Sequence, residues 1–284
     1  MPRVDQFESV FKAAVKAPFE YRQLALERVV VVSDLDANAA QALADKAQAF
    51  TGLYGAQAQW TALDADATQT VEQLLDAISS ASADLVVAYR NVHTRAWQWP
   101  HSLGRHLDIL TQATDVPVLV LPHPLDTDVF DQAIAAPSTV MAVTSHLAGD
   151  SEIVNQAAAF LPESGKLLLA HVEDDATFDR YMETISKIPA IDTTIARATI
   201  LAQLLKEPAD YVEAVRAELS EARPGLSVSA VIESGHRVGQ YRQLVAAHEA
   251  ELLVLHTKDD GQDAMHGVAY PLVIELRSIP LLML

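Results

Sequence analysis

The 284-residue chain is half hydrophobic, lacks Cys, and carries 38 acidic against 20 basic side chains, for a formal charge of −18. The lack of Cys excludes disulfides, thiolate metal sites and cysteine nucleophiles, and the acidic balance argues against binding nucleic acid or an anionic membrane surface. The opening MPRVDQFES has no apolar signal-peptide core and no long apolar run follows, so we expect a soluble cytoplasmic protein without membrane insertion.

Strands and helices are predicted to alternate along the first half of the chain. Apolar residues at helical spacing over 3–17 predict a helix that ends before Pro18. The β-branched run from Val29 to Val32 is typical of a parallel strand buried on both faces, and Asp36 is placed to N-cap a helix over 37–50. The same patterns predict strands over 58–63, from residue 83 and over 116–121, and helices from residue 71 and over 103–114.

The second half continues this alternation with one more strand–helix unit. Strands are predicted over 139–143, 166–172 and 226–232, with helices over 151–160 and along an apolar face from Val238 to Val245. A helical region over 177–222 is expected to break near Pro189 and again near Pro208. Strands that alternate with helices in this way predict an α/β fold with a parallel sheet.

The stretch 83–121 recurs in degraded form as 250–284. Both copies open with Ala, an acid and Leu, and both pass through an apolar strand and a polar loop to a Gly and a Pro-led apolar strand. Pro117 lies thirteen positions after Gly104, and Pro280 lies thirteen positions after Gly267. This internal repeat predicts a first domain over 1–125, a linker over 126–137 and a second domain over 138–284.

This arrangement resembles the universal stress protein family, and two such units on one chain resemble its tandem members. The likeness rests on the repeated strand and Gly-to-Pro spacing, and on HVEDD and GHRVG after the second and third strands of the second half. It implies two doubly wound parallel-sheet domains of the adenine nucleotide alpha hydrolase-like, or Rossmann-like, type. It also implies an intramolecular pseudo-dimer in which the strand from Val116 to Leu121 pairs with the strand from Ile279 to Leu284, which would cover two exposed sheet edges.

The first half departs from the nucleotide-binding pattern of that family, an Asp after the first strand and a G-x2-G-x9-G-[ST] loop after the fourth. Asp34 could match the Asp. Tyr89 and Val92 occupy the first two glycine positions, Gly104 matches the last, and Arg105 replaces the Ser or Thr.

The second half departs further. His256 and Asp259 stand at the first two glycine positions, Gly267 is followed by Val268, and a Thr or Ser replaces the Asp after the first strand. We therefore expect no cofactor in the second domain and allow ATP or AMP in the first domain only.

A cationic loop over 89–106 contains three Arg and no acid. Arg90, Arg95 and Arg105, with Trp97 among them, would lie over the crevice at the carboxyl ends of the strands. An Arg fork grips phosphate or carboxylate and an indole stacks on a base, so the loop is consistent with a site for an anionic small molecule. In the alternative interpretation its tryptophans pack on the partner domain and its arginines pair with surplus acids. The loop also contains His93, Trp99, His101 and His106.

In the second half, His236 and Arg237 fall at the N-terminus of a helix, where they could assist an anion. No catalytic motif is present, and the scattered His residues indicate no metal site. We therefore expect a non-enzymatic stress-response or regulatory protein with degenerate nucleotide motifs, which acts through a protein partner or a small ligand. The alternative is a sensor of a nucleotide or another anion that uses the Arg and Trp loop. Homodimerisation stays open.

Overall fold

The computed structural model describes residues 18–95, 102–143, 149–257 and 269–284. The strands are β1 (Arg28–Val32), β2 (Gln59–Leu63), β3 (Leu85–Tyr89), β4 (Val118–Leu121), β5 (Thr139–Val143), β6 (Lys166–Asp174), β7 (Ser227–Gly235), β8 (Leu252–Leu255) and β9 (Leu281–Met283). The helices are α1 (Ala37–Thr51), α2 (Val71–Ala81), α3 (Arg105–Ala113), α4 (Thr127–Ala133), α5 (Ser151–Ala159), α6 (Asp175–Ile185), α7 (Thr193–Ala222), α8 (Arg237–Ala247) and α9 (Ala269–Glu275). The helix predicted over 3–17 lies outside the described residues.

The nine strands of the described residues form one sheet in the order β2-β1-β3-β4-β9-β8-β5-β6-β7. All neighbouring strands are parallel except β4 and β9, which are antiparallel. The predicted α/β fold with a mostly parallel sheet is therefore confirmed. The four strands β1 to β4 come from the first half of the chain and the five strands β5 to β9 from the second.

The two halves of the sheet have the same strand order apart from one outer strand. The second half reads β7-β6-β5-β8-β9 and the first reads β2-β1-β3-β4, so within the described residues the strand equivalent to β7 is the one that the first half lacks. Since β4 and β9 are antiparallel, the strands of the two halves run in opposite directions. Their carboxyl ends therefore lie at opposite edges of the sheet.

The antiparallel pair is the centre of the molecule. Leu119 lies opposite Leu282, and both side chains are fully buried. This is the pairing that the resemblance implied between 116–121 and 279–284. It leaves neither strand as an exposed edge, which would otherwise invite pairing with another chain.

The acid of the repeated Ala-acid-Leu motif has the same structural role in both halves. The Asp84 carboxylate accepts hydrogen bonds from the backbone N–H groups of Glu27 and Arg28, at 3.0 and 2.8 Å, where β1 begins. In the second half the Glu251 carboxylate accepts from the N–H groups of Ser138 and Thr139, at 2.6 and 2.9 Å, where β5 begins. These carboxylates satisfy donors at the start of each half's first strand.

Two features differ from what the sequence led us to expect. The helical region does end before Pro189, but Pro208 does not break it, because α7 is a 30-residue helix that continues through this residue. Pro208 and the Tyr211 and Val212 that follow are buried, and this packing offsets the backbone hydrogen bond that proline removes. The segment predicted as a linker contains α4, whose Phe130 is also buried.

The described residues contain no helix that combines the length and the hydropathy required to cross a membrane.

Candidate functional site

The candidate site lies at the carboxyl ends of β1 and β3, where the chain order of the strands reverses. In open α/β sheets such a reversal creates a crevice in which ligands bind. Asp36 N-caps α1, and its side chain accepts from the N–H groups of Asn38 and Ala39 as expected. Asp34 is thereby held in the turn between β1 and α1, next to Tyr89 at the end of β3.

Asp34 and Tyr89 form a bridge across this crevice. The Tyr89 hydroxyl donates to Oδ1 of Asp34, the N–H of His93 donates to Oδ2 at 2.9 Å, and the N–H of Asp34 donates to the Tyr89 oxygen at 3.0 Å. Burial raises the pKa of Tyr89 well above its usual range, and the Asp34 carboxylate raises it further. Tyr89 therefore stays protonated as a donor, and both oxygens of Asp34 are already engaged.

A cluster of imidazoles lies beside the bridge. Nε2 of His93 lies 2.8 Å from Oγ1 of the buried Thr68, and the ring centres of His93 and His106 are 4.9 Å apart. Burial, followed by the charge of His93, lowers the pKa of His106. Burial also lowers the pKa of His123, whose ring lies 5.4 Å from that of Tyr89. Neutral rings therefore predominate for His106 and His123 at neutral pH.

Arg90 does not lie over the crevice. It is 3% exposed, and its Nη2 donates to the backbone oxygens of Val273 and Leu276, at 2.5 and 2.6 Å, at the end of α9. Burial lowers its pKa to about 9, followed by the effect of Arg277, so the guanidinium is still charged at neutral pH. The partial negative charge of a helix C-terminus stabilises such a cation. Arg90 thus connects the two halves, which removes it from the expected anion site.

The other arginines of the cationic loop are on the surface. Arg95 and Arg105 are both exposed, and Arg105 is the first residue of α3. Trp97 lies outside the described residues. The structure therefore leaves two of the three predicted arginines available to a ligand.

Gly104 has a structural reason to be glycine. Its φ is +95°, and a Cβ placed on it would lie 2.8 Å from the Cα of Asn91. Any side chain would strain the backbone and collide with the preceding loop. The glycine that matches the last position of the family pattern is thus needed for the start of α3.

The second half closes its equivalent crevice, between β5 and β8, with different residues. Nε2 of His256 lies 2.8 Å from Oδ2 of Asp150, while Oδ1 of Asp150 accepts from the N–H of Ile153 and so caps α5. His256 follows β8 as Tyr89 ends β3, and it occupies the repeat position of Tyr89. Residues 144–148 lie outside the described residues.

The other predicted residues of the second half lie at the N-terminus of α8. His236 is the N-cap residue but makes no side-chain cap bond, and Nε of Arg237 donates to the backbone oxygen of Val172 at 2.9 Å. Gly267 lies outside the described residues. His236 and Arg237 are at the opposite edge of the sheet from Asp34, Gly104 and Arg105, so they do not form one site with them.

Sequence reasoning missed three participants in the first crevice: the hydrogen-bonding role of the Tyr89 phenol, Thr68 and His123. Their signal is a polar residue at or soon after the end of a parallel strand, which places it at the ligand-binding edge. Among the described residues there is no group of three or more His, Asp or Glu side chains arranged to hold a metal ion.

The chain is similar to known proteins in its fold rather than in its sequence. No family model matches the chain, and no curated protein matches it. Among solved structures, it is similar to a protein of unknown function from Pseudomonas aeruginosa PAO1, at 15% identity and a TM-score of 0.47, covering 100% of this chain and 89% of that one. A candidate universal stress protein from Pseudomonas aeruginosa UCBPP-PA14 has 16% identity and a TM-score of 0.47, covering 100% and 90%. A universal stress protein from Archaeoglobus fulgidus DSM 4304 has 14% identity and a TM-score of 0.46, covering 90% and 87%.

Proposed function

We propose that this chain is a tandem protein of the universal stress type that is not an enzyme and does not bind ATP in the manner of that family. It acts in regulation through a protein partner or a small ligand. The observation that carries the proposal is the closure of both switch-point crevices, by Tyr89 with Asp34 in the first half and by His256 with Asp150 in the second.

The closure opposes nucleotide binding for a physical reason. A phosphate-binding loop needs glycines so that backbone N–H groups approach the phosphates, and it needs those N–H groups free. At the first glycine position this chain has the fully buried Tyr89, and the N–H of His93 is already donated to Asp34. Arg90, which could have supplied positive charge, is bound to the end of α9.

An exposed apolar surface supports action through a protein partner. We call residues 175–207, which include α6 and the first part of α7, the arm. Of the eight large hydrophobic side chains exposed among the described residues, five are on the arm. They are Tyr181, Ile188, Ile191, Ile195 and Leu204. The concentration of exposed apolar side chains in one segment favours a site of interaction there.

The charge of the arm also differs from that of the rest of the chain. The arm has five acids and four bases, so its net charge is −1 and the remaining −17 of the chain's −18 lies elsewhere. A partner that approaches the arm therefore meets little electrostatic repulsion. We also propose a cytoplasmic location, which is consistent with the lack of Cys. The proposal includes the division into a first domain over 1–125 and a second over 138–284.

The decisive experiment is to denature the purified protein, assay the released small molecules by mass spectrometry, and titrate the intact protein with ATP and with AMP in a calorimeter. We expect no stoichiometric nucleotide and no heat of binding. A stoichiometric nucleotide, or micromolar binding of either one, would overturn the proposal.

The alternative of an anion sensor has one observation in its favour, which is that Arg95 and Arg105 remain exposed. The variant with both Arg95→Gln and Arg105→Gln separates the two functions. If the intact protein binds a nucleotide and the variant does not, the sensor is established. The matched control is Arg180→Gln with Arg242→Gln, two substitutions of the same kind at exposed arginines away from the loop.

A further inference from the structure

We propose that His93 and His106 form a binding site for one divalent transition-metal ion of the zinc type. This inference is independent of the proposed function, because it concerns a metal and not a nucleotide or a protein partner. It rests on the hydrogen bond that orients His93, on the unpartnered Nε2 of His106 and on the distance between the two rings.

The hydrogen bonds of Thr68 determine the tautomer of His93. The Thr68 hydroxyl has a single hydrogen, which it donates towards the backbone oxygens of Ser33 and Asp64, at 2.7 and 2.9 Å. Its oxygen is then an acceptor for Nε2 of His93, 2.8 Å away, so that nitrogen carries the hydrogen. In a neutral imidazole the other nitrogen, Nδ1, has the free lone pair.

His106 presents the second nitrogen. Its Nε2 is buried and has no hydrogen-bond partner. In the neutral tautomer whose hydrogen is on Nδ1, this Nε2 has a free lone pair that an ion can accept. Metal-binding histidines are typically oriented by a bond from the other ring nitrogen to an oxygen, as His93 is by Thr68.

The separation of the two rings suits a shared ion. A zinc ion lies about 2.0–2.1 Å from a ligating imidazole nitrogen, and hence about 3.2 Å from the ring centre. Two imidazoles in tetrahedral geometry then have centres about 5.2 Å apart. The observed separation of His93 and His106 is 4.9 Å.

A second buried acceptor lies in the same loop. Asn91 is 2% exposed, and its Oδ1 has no hydrogen-bond partner. It approaches Gly104 closely, since a Cβ on that glycine would lie 3.2 Å from this oxygen. Leaving a buried acceptor unpaired costs about 1–3 kcal/mol, and an ion that accepts its lone pair would remove this cost.

The backbone around the pair is strained in a manner that often accompanies a site. Asn91 and His93 both have positive φ, +61° and +58°, which disfavours residues with a side chain. Imidazole nitrogen with an amide oxygen selects zinc, copper or nickel over magnesium. Because the described residues lack a third His or acid in place, water or Asn91 would complete the coordination.

The test is a calorimetric titration of the intact protein with ZnCl2 and, separately, with MgCl2. We expect one Zn²⁺ per chain with micromolar affinity and no heat from Mg²⁺. His106→Gln and His93→Gln should each weaken Zn²⁺ binding at least tenfold, while His248→Gln, at an exposed histidine of the second half, should leave it unchanged.

Circular dichroism of each variant shows that the fold is retained. If His93→Gln fails to fold because the bond to Thr68 is lost, His106→Gln alone decides, since its Nε2 has no partner to lose. No heat with Zn²⁺, or unchanged Zn²⁺ affinity in His106→Gln, would overturn the inference. The titration contains no nucleotide, so its failure and a failure of the proposed function are distinguishable.

Discussion

Each half of the sheet has a side-chain contact across its crevice, and the two halves make this contact with different residues. In each half, the residue at or just after the end of the second-last strand, β3 or β8, reaches an acid in the turn after the first strand. In the first half this is a buried phenol and Asp34; in the second it is a partly exposed imidazole and Asp150. The comparison teaches that strand geometry brings the end of β3 or β8 close to the turn after the first strand. Which acid of that turn makes the contact differs, because Asp34 precedes the N-cap Asp36 whereas Asp150 is itself an N-cap.

The halves also differ in what they contribute to each other. Over residues 18–95 and 102–125 the first half shows no counterpart of the outer strand β7, but it supplies Arg90, which reaches the end of α9 in the second half. The second half supplies β9, which is inserted between β4 and β8. Each half thus supplies a contact that the other half uses, and the dependence of their stability on these contacts can be tested.

The largest effect is expected from the strand that joins the halves. Deletion of residues 279–284 removes β9 and exposes the edges of β4 and β8, so we expect loss of soluble folded protein. The milder variant Leu282→Ala should lower the free energy of unfolding by about 2–5 kcal/mol, since this side chain is fully buried. Urea denaturation measures the change, and Leu53→Ala, the same substitution at an 88% exposed residue, is the control. A truncated protein as soluble and stable as the intact chain would show that the two halves do not need the shared strand.

The next effect concerns Arg90. Arg90→Met keeps the length of the side chain but removes two hydrogen bonds to the end of α9, so we expect a loss of about 2–4 kcal/mol in the free energy of unfolding. Arg105→Met, at an exposed residue where a helix begins, should have almost no effect on stability. Equal stabilities for the two variants would mean that Arg90 does not hold the halves together.

The two crevice bridges should differ in strength. Tyr89→Phe removes the donor to Oδ1 of Asp34 and the acceptor of the Asp34 N–H beside a fully buried ring, for an expected loss of about 1.5–3 kcal/mol. His256→Phe breaks a bridge whose side chains are 28% and 16% exposed, and partial exposure to water should limit the loss to about 1 kcal/mol. Tyr270→Phe, at a residue 37% exposed, controls for removal of a hydroxyl. The opposite ranking of the two bridges in chemical denaturation would contradict our account of the comparison.

The smallest effect is a dependence on pH that comes from the first half. The pKa values of His106 and His123 are lowered from 6.5 in the folded protein, so the unfolded chain binds protons more readily. Stability from these residues is complete above pH 6.5 and falls as the pH drops below that value towards the folded pKa values. When the pH is lowered from one unit above 6.5 to one unit below it, we expect the free energy of unfolding to fall less in the double variant His106→Asn with His123→Asn than in the parent. His248→Asn should behave as the parent does; if all three proteins respond alike, other groups cause the dependence.

Most of the fold could be predicted from local patterns. The run Val29 to Val32 and the N-cap Asp36 each depend on residues close together in the chain, and each predicted its element correctly. Pro208 is one exception, because whether a helix tolerates proline depends on the packing of Tyr211 and Val212, which a local pattern does not contain.

The candidate site was predicted less completely. The sequence by itself determined that polar residues such as Asp34, Tyr89 and His256 would follow buried strands, because strand periodicity and turn chemistry are local. Only the tertiary structure decided what those residues contact. Arg90 bonds to a carbonyl 183 positions away, and His256 bonds to an acid 106 positions away. Such contacts depend on which strand ends the sheet brings together and on which charged groups the packing removes from water. Neither can be deduced from the spacing of neighbouring residues, because both depend on segments that are distant in the chain.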